Sequence, residues 1–257
     1  DFPRAIVAPA WPVDCFRVMA EAFHFSEKYQ IPVIVLSDLL ISEHHETING
    51  ETLDWTPEID RGEVLSESDL PDQEGIYLRY KHTDSGISPR SLPGMMGGSF
   101  TAATDEHDEA SVNISDVFTN PPERKRQMEK RWRKMEGLAA ELPPPRMDGP
   151  EDAEVTLVVW GGTRGTATEA MERLNAEGIT TNCLTLKWLY PFPVEFVKEV
   201  LCGGQKVVMV EQNQSGQIRG HIARETGIQI ERFISKYDGE PMRPGWLVDQ
   251  VKEVIST

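Results

Sequence analysis

VTLVVW (155–160) runs into GGTRG (161–165), then into TATEAMERLNAEG (166–178), and the next apolar run is TTNCLTLKWL (180–189). A β-branched run, a glycine turn, a helical segment closed by glycine and a second apolar run make a β-α-β unit. The pattern repeats downstream. A helix through PVEFVKEVL (193–201) leads to the strand KVVMVEQN (206–213), and a helix through SGQIRGHIARETG (215–227) leads to ERFISKY (231–237). A closing helix begins at Pro244. Strands alternating with helices predict a three-layer α/β/α domain over residues 151–257, built on a mostly parallel sheet.

Two polar stretches of this domain sit where α/β folds present chemistry. Gly161, Gly162 and Gly165 lie between a strand and a helix, where backbone amides can hold an anion. Their spacing is not the GxGxxG of a dinucleotide site, so a tight β-α turn is the better reading. Glu211, Gln212, Asn213 and Gln214 close a strand just before a helix, at the sheet edge where ligands bind. With no activated nucleophile nearby, capping of the helix is favoured over a functional role.

The first 42 residues form another β-α-β unit. RAIVAP (4–9) is a short buried strand, Pro12 opens a helix, and IPVIVLSDLL (31–40) reads as a parallel strand covered on both sides. Phe16, Met19, Ala20 and Phe23 form the expected buried helix face. Residues 43–150 read as an extended connecting segment, in which glycines, prolines and acids interrupt every apolar run until a helix at 119–142. Thr119 or Asn120 can cap that helix, and Met128, Trp132, Met135, Leu138 and Leu142 form its apolar stripe. Its basic residues suit an acidic partner or, more simply, a solvated face with pairs such as Glu129–Arg133.

Composition narrows the function. The net charge of −16 at pH 7 disfavours nucleic acid as a partner. No apolar run is long enough for a membrane span and no secretory leader opens the chain, so the cytoplasm is the expected location. Cys15, Cys183 and Cys202 are scattered and form no CxxC. The opening DFPRAIVAP has no methionine, which reads as a piece of a longer polypeptide.

The stretch TDEHDE (104–109) surrounds His107 with carboxylates. Metal binding is the obvious reading, but neighbours in an extended segment point to alternating sides. No HExxH or EF-hand spacing is present, and SEHHET (42–47) has no evident reason to join them. An interface loop held by polar contacts is the preferred reading.

Eight motifs in order carry a family resemblance: FPRAIVAP, AFHFSEKYQIPVIVLSD, GISPRSLPG, TDEHDE, KRQMEKRWRKM, KWLYPFP, VEQNQSGQ and RFISKYDG. Together they resemble the alpha subunit of the 2-oxoacid:ferredoxin oxidoreductases, most closely the 2-oxoglutarate type. Thr104 stands where that family usually has glycine. The resemblance implies that residues 1–42 end a pyrimidine-type thiamin diphosphate domain. It also makes residues 151–257 a transketolase C-terminal-like domain.

The implied reaction is coenzyme A-dependent oxidative decarboxylation of 2-oxoglutarate with reduction of ferredoxin, or its reverse. Thiamin diphosphate, Mg2+ and a [4Fe–4S] cluster are the implied cofactors, with cluster and Mg2+ in a partner beta subunit and alpha-beta units paired as a dimer. A pyruvate-specific or broad 2-oxoacid enzyme and a non-catalytic docking module are the competing readings. Substrate motifs of the family, YPITP and RGGPSTG, are not in this sequence. Arg90 and His107 are therefore the only candidates for interface or active-site-rim residues.

Overall fold

A computed structural model of the chain describes residues 2–72, 75–102, 104–114 and 120–256. It divides into two compact units, neither of them a continuous stretch of sequence. One comprises Asp1–Arg4, Ala20–Val33 and Thr56–Glu141, and the other Ala5–Met19, Ile34–Trp55 and Leu142–Thr257.

The elements run β1 (Ala5–Val7), α1 (Pro12–Tyr29), β2 (Val33–Val35), α2 (Leu39–Glu43), β3 (Glu106–His107), β4 (Asn113–Ile114) and α3 (Pro121–Glu141). Then come β5 (Arg146–Asp148), β6 (Val155–Trp160), α4 (Thr163–Ala176), β7 (Thr181–Leu186), β8 (Trp188–Tyr190) and α5 (Val194–Leu201). The chain ends with β9 (Lys206–Glu211), α6 (Gln217–Thr226), β10 (Arg232–Ser235) and α7 (Pro244–Ser256).

The larger unit contains the expected α/β/α fold. Its sheet has the order β10-β9-β6-β7-β5, parallel except for β5. Alternation along each strand separates two cores. Val155, Leu157, Val159, Cys183, Val208 and Val210 pack with α4 and α7 on one face. Val158, Leu184, Leu186 and Met209 pack with α5 and α6 on the other. Each fully buried leucine or valine there contributes about 1.5–3 kcal/mol of transfer free energy.

Two features of this unit depart from the sequence reading. The expected strand 180–189 is broken at Lys187. That side chain turns to the buried Asp14, Nζ to Oδ1 2.8 Å, and its backbone carbonyl accepts a bond from Ala8 N at 2.8 Å. The chain thereby leaves one sheet for another, and β8 pairs antiparallel with β1 in a sheet of order β2-β1-β8. The stretch RMD, expected inside the connecting segment 43–150, is the antiparallel edge strand β5.

The β-α-β start is present, but its burial differs from expectation. β2 is an edge strand, with Ile34 38% exposed, rather than a strand covered on both sides. On α1 the buried apolar positions are Val18, Ala22, Phe25 and Tyr29, while Met19 and Phe23 are exposed. The helix carries apolar residues on two faces, so spacing alone cannot choose between them.

The smaller unit contains little regular structure outside α1, α3 and the hairpin of β3 and β4, which pair antiparallel. Its loops are held by specific contacts. Tyr77 Oη accepts from Ser91 N at 2.8 Å, and Phe100 meets the rings of Tyr77 and Tyr80 edge-on. At the end of α1 and α3, Tyr29 Oη donates to Glu141 Oε2 at 2.5 Å and Lys28 Nζ to Glu141 Oε1 at 2.7 Å.

Candidate functional site

Helix α3 begins where Asn120 Oδ1 accepts the backbone N–H of Glu123 at 3.2 Å; the alternative cap, Thr119, lies outside the described residues. The buried residues then follow a 4-3-4-4 spacing: Glu123, Gln127, Lys130, Lys134 and Leu138, with Met135 beside them. This face carries four polar side chains beside Met135 and Leu138. Of the expected apolar stripe, Met135 and Leu138 are buried, while Met128, Trp132 and Leu142 are only half-buried. The basic residues of α3 are therefore not one solvated face, because Lys130 is 3% exposed and Lys134 is buried as well.

Gln127, Lys130, Arg131 and Lys134 line a cavity of about 270 Å³ in the smaller unit, together with Arg79, Tyr80 and His107. Lys130 Nζ donates to Tyr80 O at 2.6 Å and to Ser88 Oγ at 2.9 Å, and Lys134 Nζ donates to Gln30 O at 3.2 Å. Arg79 Nη2 donates to Gln30 Oε1 at 2.8 Å. Gln30 has φ +50°, a left-handed conformation that costs about 1 kcal/mol for a residue other than glycine. Held so, it turns its carbonyl to Lys134, its side-chain oxygen to Arg79 and its Nε2 to Ser88 O at 2.7 Å.

The loop bearing Ser88 reaches α3 closely. At Gly86, φ +79°, a Cβ would overlap the carbonyl oxygen of Lys130, which is why a glycine opens the GISPR stretch.

Electrostatically the cavity is one-sided. Among the described residues no carboxylate lies within ion-pair distance of Arg79, Lys130 or Lys134, whose polar contacts are neutral oxygens. Burial lowers the Lys130 ammonium to about 7, with help from Lys134, Arg131 and Arg79. Burial lowers Lys134 to about 8, with Arg79 and Arg131 acting in the same direction. Burial also lowers Arg79 and, reinforced by Arg131 and Lys130 against Glu106, lowers His107.

The acidic stretch resolves into separate tasks. Burial alone would raise the Glu106 carboxyl, but hydrogen bonds from Arg131 and Arg124 hold it at about 2. Arg131 Nη1 donates to Glu106 Oε2 at 2.9 Å. Asp108 Oδ1 accepts from Ala110 N and Val112 N, both at 2.9 Å, and so closes the β3-β4 loop. Glu109 Oε1 accepts from His82 N at 2.7 Å. His107 stacks on Tyr80, ring centroids 3.3 Å apart, and forms part of the cavity wall. No group of three His, Cys, Asp or Glu side chains among the described residues is placed to hold a metal ion.

Arg90 does not line this cavity. Its guanidinium binds Glu27 and Arg61 O, and its backbone pairs with Glu63 and Leu65, so it ties the 61–65 segment to α1. Of the two sequence candidates, only His107 meets the lysines. Lys130, Lys134 and Gln127 were missed because polar residues were not counted as a buried stripe, although their helical spacing was in plain view.

In the larger unit the polar turns are occupied by the protein itself. Glu211, fully buried, accepts from Ile218 N and Arg219 N at 3.0 Å each, from Asn213 Nδ2 at 2.8 Å and from Trp160 Nε1 at 3.3 Å. It caps α6, where the helix dipole favours a negative charge. The glycine turn before α4 receives Asp38, whose Oδ2 accepts from Gly162 N at 2.5 Å while Oδ1 caps α2 at Ile41 N, 2.9 Å. A Cβ at Gly162 would lie 2.7 Å from that carboxylate.

Comparisons with known proteins agree with this architecture. A family model for pyruvate:ferredoxin oxidoreductase core domain II matches residues 153–245. The 2-oxoacid:ferredoxin oxidoreductase 2 alpha subunit of Aeropyrum pernix is 33% identical over 100% of this chain and 39% of its own length. A 2-oxoacid:ferredoxin oxidoreductase alpha subunit of Saccharolobus solfataricus is 30% identical over 99% of this chain, which again spans 39% of the relative. The solved 2-oxoglutarate:ferredoxin oxidoreductase of Magnetococcus marinus, with 2-oxoglutarate, coenzyme A and succinyl-CoA bound, superposes with a TM-score of 0.80. It is 29% identical over 98% of this chain and 42% of that one.

Proposed function

The chain is a member of the family of 2-oxoacid:ferredoxin oxidoreductase alpha subunits, and from that premise we propose that it forms part of an enzyme oxidising 2-oxoglutarate. In that reaction the 2-oxo acid loses CO2, coenzyme A takes the succinyl group as a thioester, and the electron pair released passes to ferredoxin. The observation that carries the substrate is the likeness to the M. marinus enzyme, which extends over 98% of the chain at a TM-score of 0.80.

The residues of this chain do not fit every group such an enzyme needs. Cys183 is buried, Cys202 exposed, and Cys15 lies between, with no clustering of thiols or carboxylates among the described residues. That donor set matches neither an iron–sulfur cluster, which takes converging thiolates, nor a magnesium-diphosphate site. We place both groups in a partner beta subunit. Thiamin diphosphate would supply the electron sink for decarboxylation.

What this chain's residues do is structural and electrostatic. The α/β/α unit fixes its helix ends with Glu211 and Asp38, and the smaller unit presents the lysine cavity with His107 in its wall. The exposed apolar side chains Met19 and Phe23 support a covering subunit. No helix is long and apolar enough to cross a membrane among the described residues.

A broader substrate range is the second reading, favoured by the 2-oxoacid names of the A. pernix and S. solfataricus relatives. Co-expression of the full-length subunit with its beta partner decides between them. Coenzyme A-dependent reduction of ferredoxin is expected with 2-oxoglutarate. Equal rates with pyruvate would establish the broad reading, and loss of all 2-oxoacid-dependent reduction would overturn both.

A further inference from the structure

The cavity of the smaller unit holds more buried positive charge than the chain neutralises. Arg131 is matched by Glu106, and Glu109, the acid that acts on Lys130, already accepts the His82 amide. Arg79, Lys130 and Lys134 are left facing neutral oxygens in a space of about 270 Å³. Uncompensated buried charge is costly, and a protein that retains it has a use for the field it creates.

Two further atoms point into the same need. Among the described residues His107, 8% exposed, has no hydrogen-bond partner at Nδ1, and Gln127, fully buried, has none at Oε1. A ring N–H and ammonium protons can donate to an oxyanion, and an amide oxygen can accept from a hydroxyl carried by one. The space of about 270 Å³ is ample for a tetrahedral phosphoryl group or for a short dicarboxylate.

We propose that this cavity is a binding site for a small oxyanion of two or more negative charges. Lys130, Lys134 and Arg79 supply the charge, His107 can donate from its ring, and Gln127 Oε1 can accept from a hydroxyl where the ligand carries one, as hydrogen phosphate does. The shared chemistry is a compact group of anionic oxygens, carried by a phosphoryl group or a dicarboxylate. This inference stands on the cavity and its side chains alone and does not depend on the substrate proposed above.

Calorimetric titration of the full-length protein with sodium phosphate and, separately, sodium succinate tests it, with sodium chloride at matched ionic strength as the reference. Saturable binding of at least one anion above the chloride reference is expected, and which one binds distinguishes the two sources. Lys130→Met and Lys134→Met, checked for an unchanged far-UV spectrum, should each weaken it about tenfold or more.

If a variant fails to fold, the wild-type protein still gives an answer. An anion that raises the Lys130 and Lys134 ammonium groups from about 7 and about 8 must bring proton uptake at pH 8, measured in buffers of different ionisation heat. Binding of neither anion, or binding without proton uptake and unaffected by both substitutions, would overturn the proposal.

Discussion

The ring of Tyr80 lies parallel to that of His107, with centroids 3.3 Å apart and planes at 16°, while the Tyr80 carbonyl takes a 2.6 Å hydrogen bond from Lys130. One residue therefore shields the imidazole from water and anchors a buried ammonium. Replacing Tyr80 by leucine should cost about 1 kcal/mol in denaturant unfolding of the full-length protein. It should also let the His107 resonance titrate closer to the ordinary histidine value, because burial is the main cause of its depression. An unchanged His107 titration in NMR would show that the stack does not control its protonation.

Lys130 gives stability a distinct alkaline limb. Its folded value of about 7 lies below the ordinary 10.5, so between those values the unfolded chain binds a proton that the folded one does not. Stability contributed by this site is therefore lowest below pH 7 and rises with pH above it, a slope of about 1.4 kcal/mol per pH unit for one proton. Lys130→Met should flatten the stability profile between pH 8 and 10 by up to that slope, measured by urea unfolding at each pH. A profile parallel to wild type would mean that Lys130 is charged throughout.

Glu106 shapes the acid limb in the opposite sense. Its carboxyl sits at about 2 when folded and at the ordinary 4.5 when unfolded, so its contribution is complete above 4.5 and vanishes as pH falls toward 2. The contribution is about 3 kcal/mol. Glu106→Gln should destabilise the protein at pH 7 by about that amount and make its stability less sensitive to acid between pH 4.5 and 2. It also leaves Arg131 without its partner beside the cavity. Acid-titration curves of wild type and variant that fall together would refute this assignment.

Asp38 and Gly162 should behave as a coupled pair. Asp38→Ala removes the caps on Ile41 N and Gly162 N at a cost of about 1–2 kcal/mol. Gly162→Ala drives a methyl group against the Asp38 carboxylate and should be destabilising in the wild-type background. In the Asp38→Ala background the added methyl meets no carboxylate and should cost less. Additive effects in the double-mutant cycle would show that the contact does not govern the turn.

Much of the larger unit was readable from local pattern. β6, α4, β9, α6 and α7 lie where apolar runs and glycine punctuation place them, and Glu211 caps α6 as its position at a strand end suggested. Misreadings arose where a long-range partner decides. Lys187 breaks a continuous apolar run because Asp14, far away in sequence, captures its ammonium. In the smaller unit, local pattern likewise could not name the partners: Glu106 takes Arg131 and Arg124, and Arg90 takes Glu27.

Two helices show most plainly where local information ends. On α1 both faces carry apolar residues at helical spacing, and only packing selects Val18, Ala22, Phe25 and Tyr29 over Met19 and Phe23. On α3 a hydrophobic count finds Met135 and Leu138 but not the buried Glu123, Gln127, Lys130 and Lys134. Periodicity and turn chemistry act over a few residues, so the sequence by itself determined the alternating α/β domain, its glycine turns and the family resemblance. Burial and charge pairing depend on groups brought together from distant positions. Only the tertiary structure decided that Lys130 and Lys134 face inward, unpaired, into one cavity with His107.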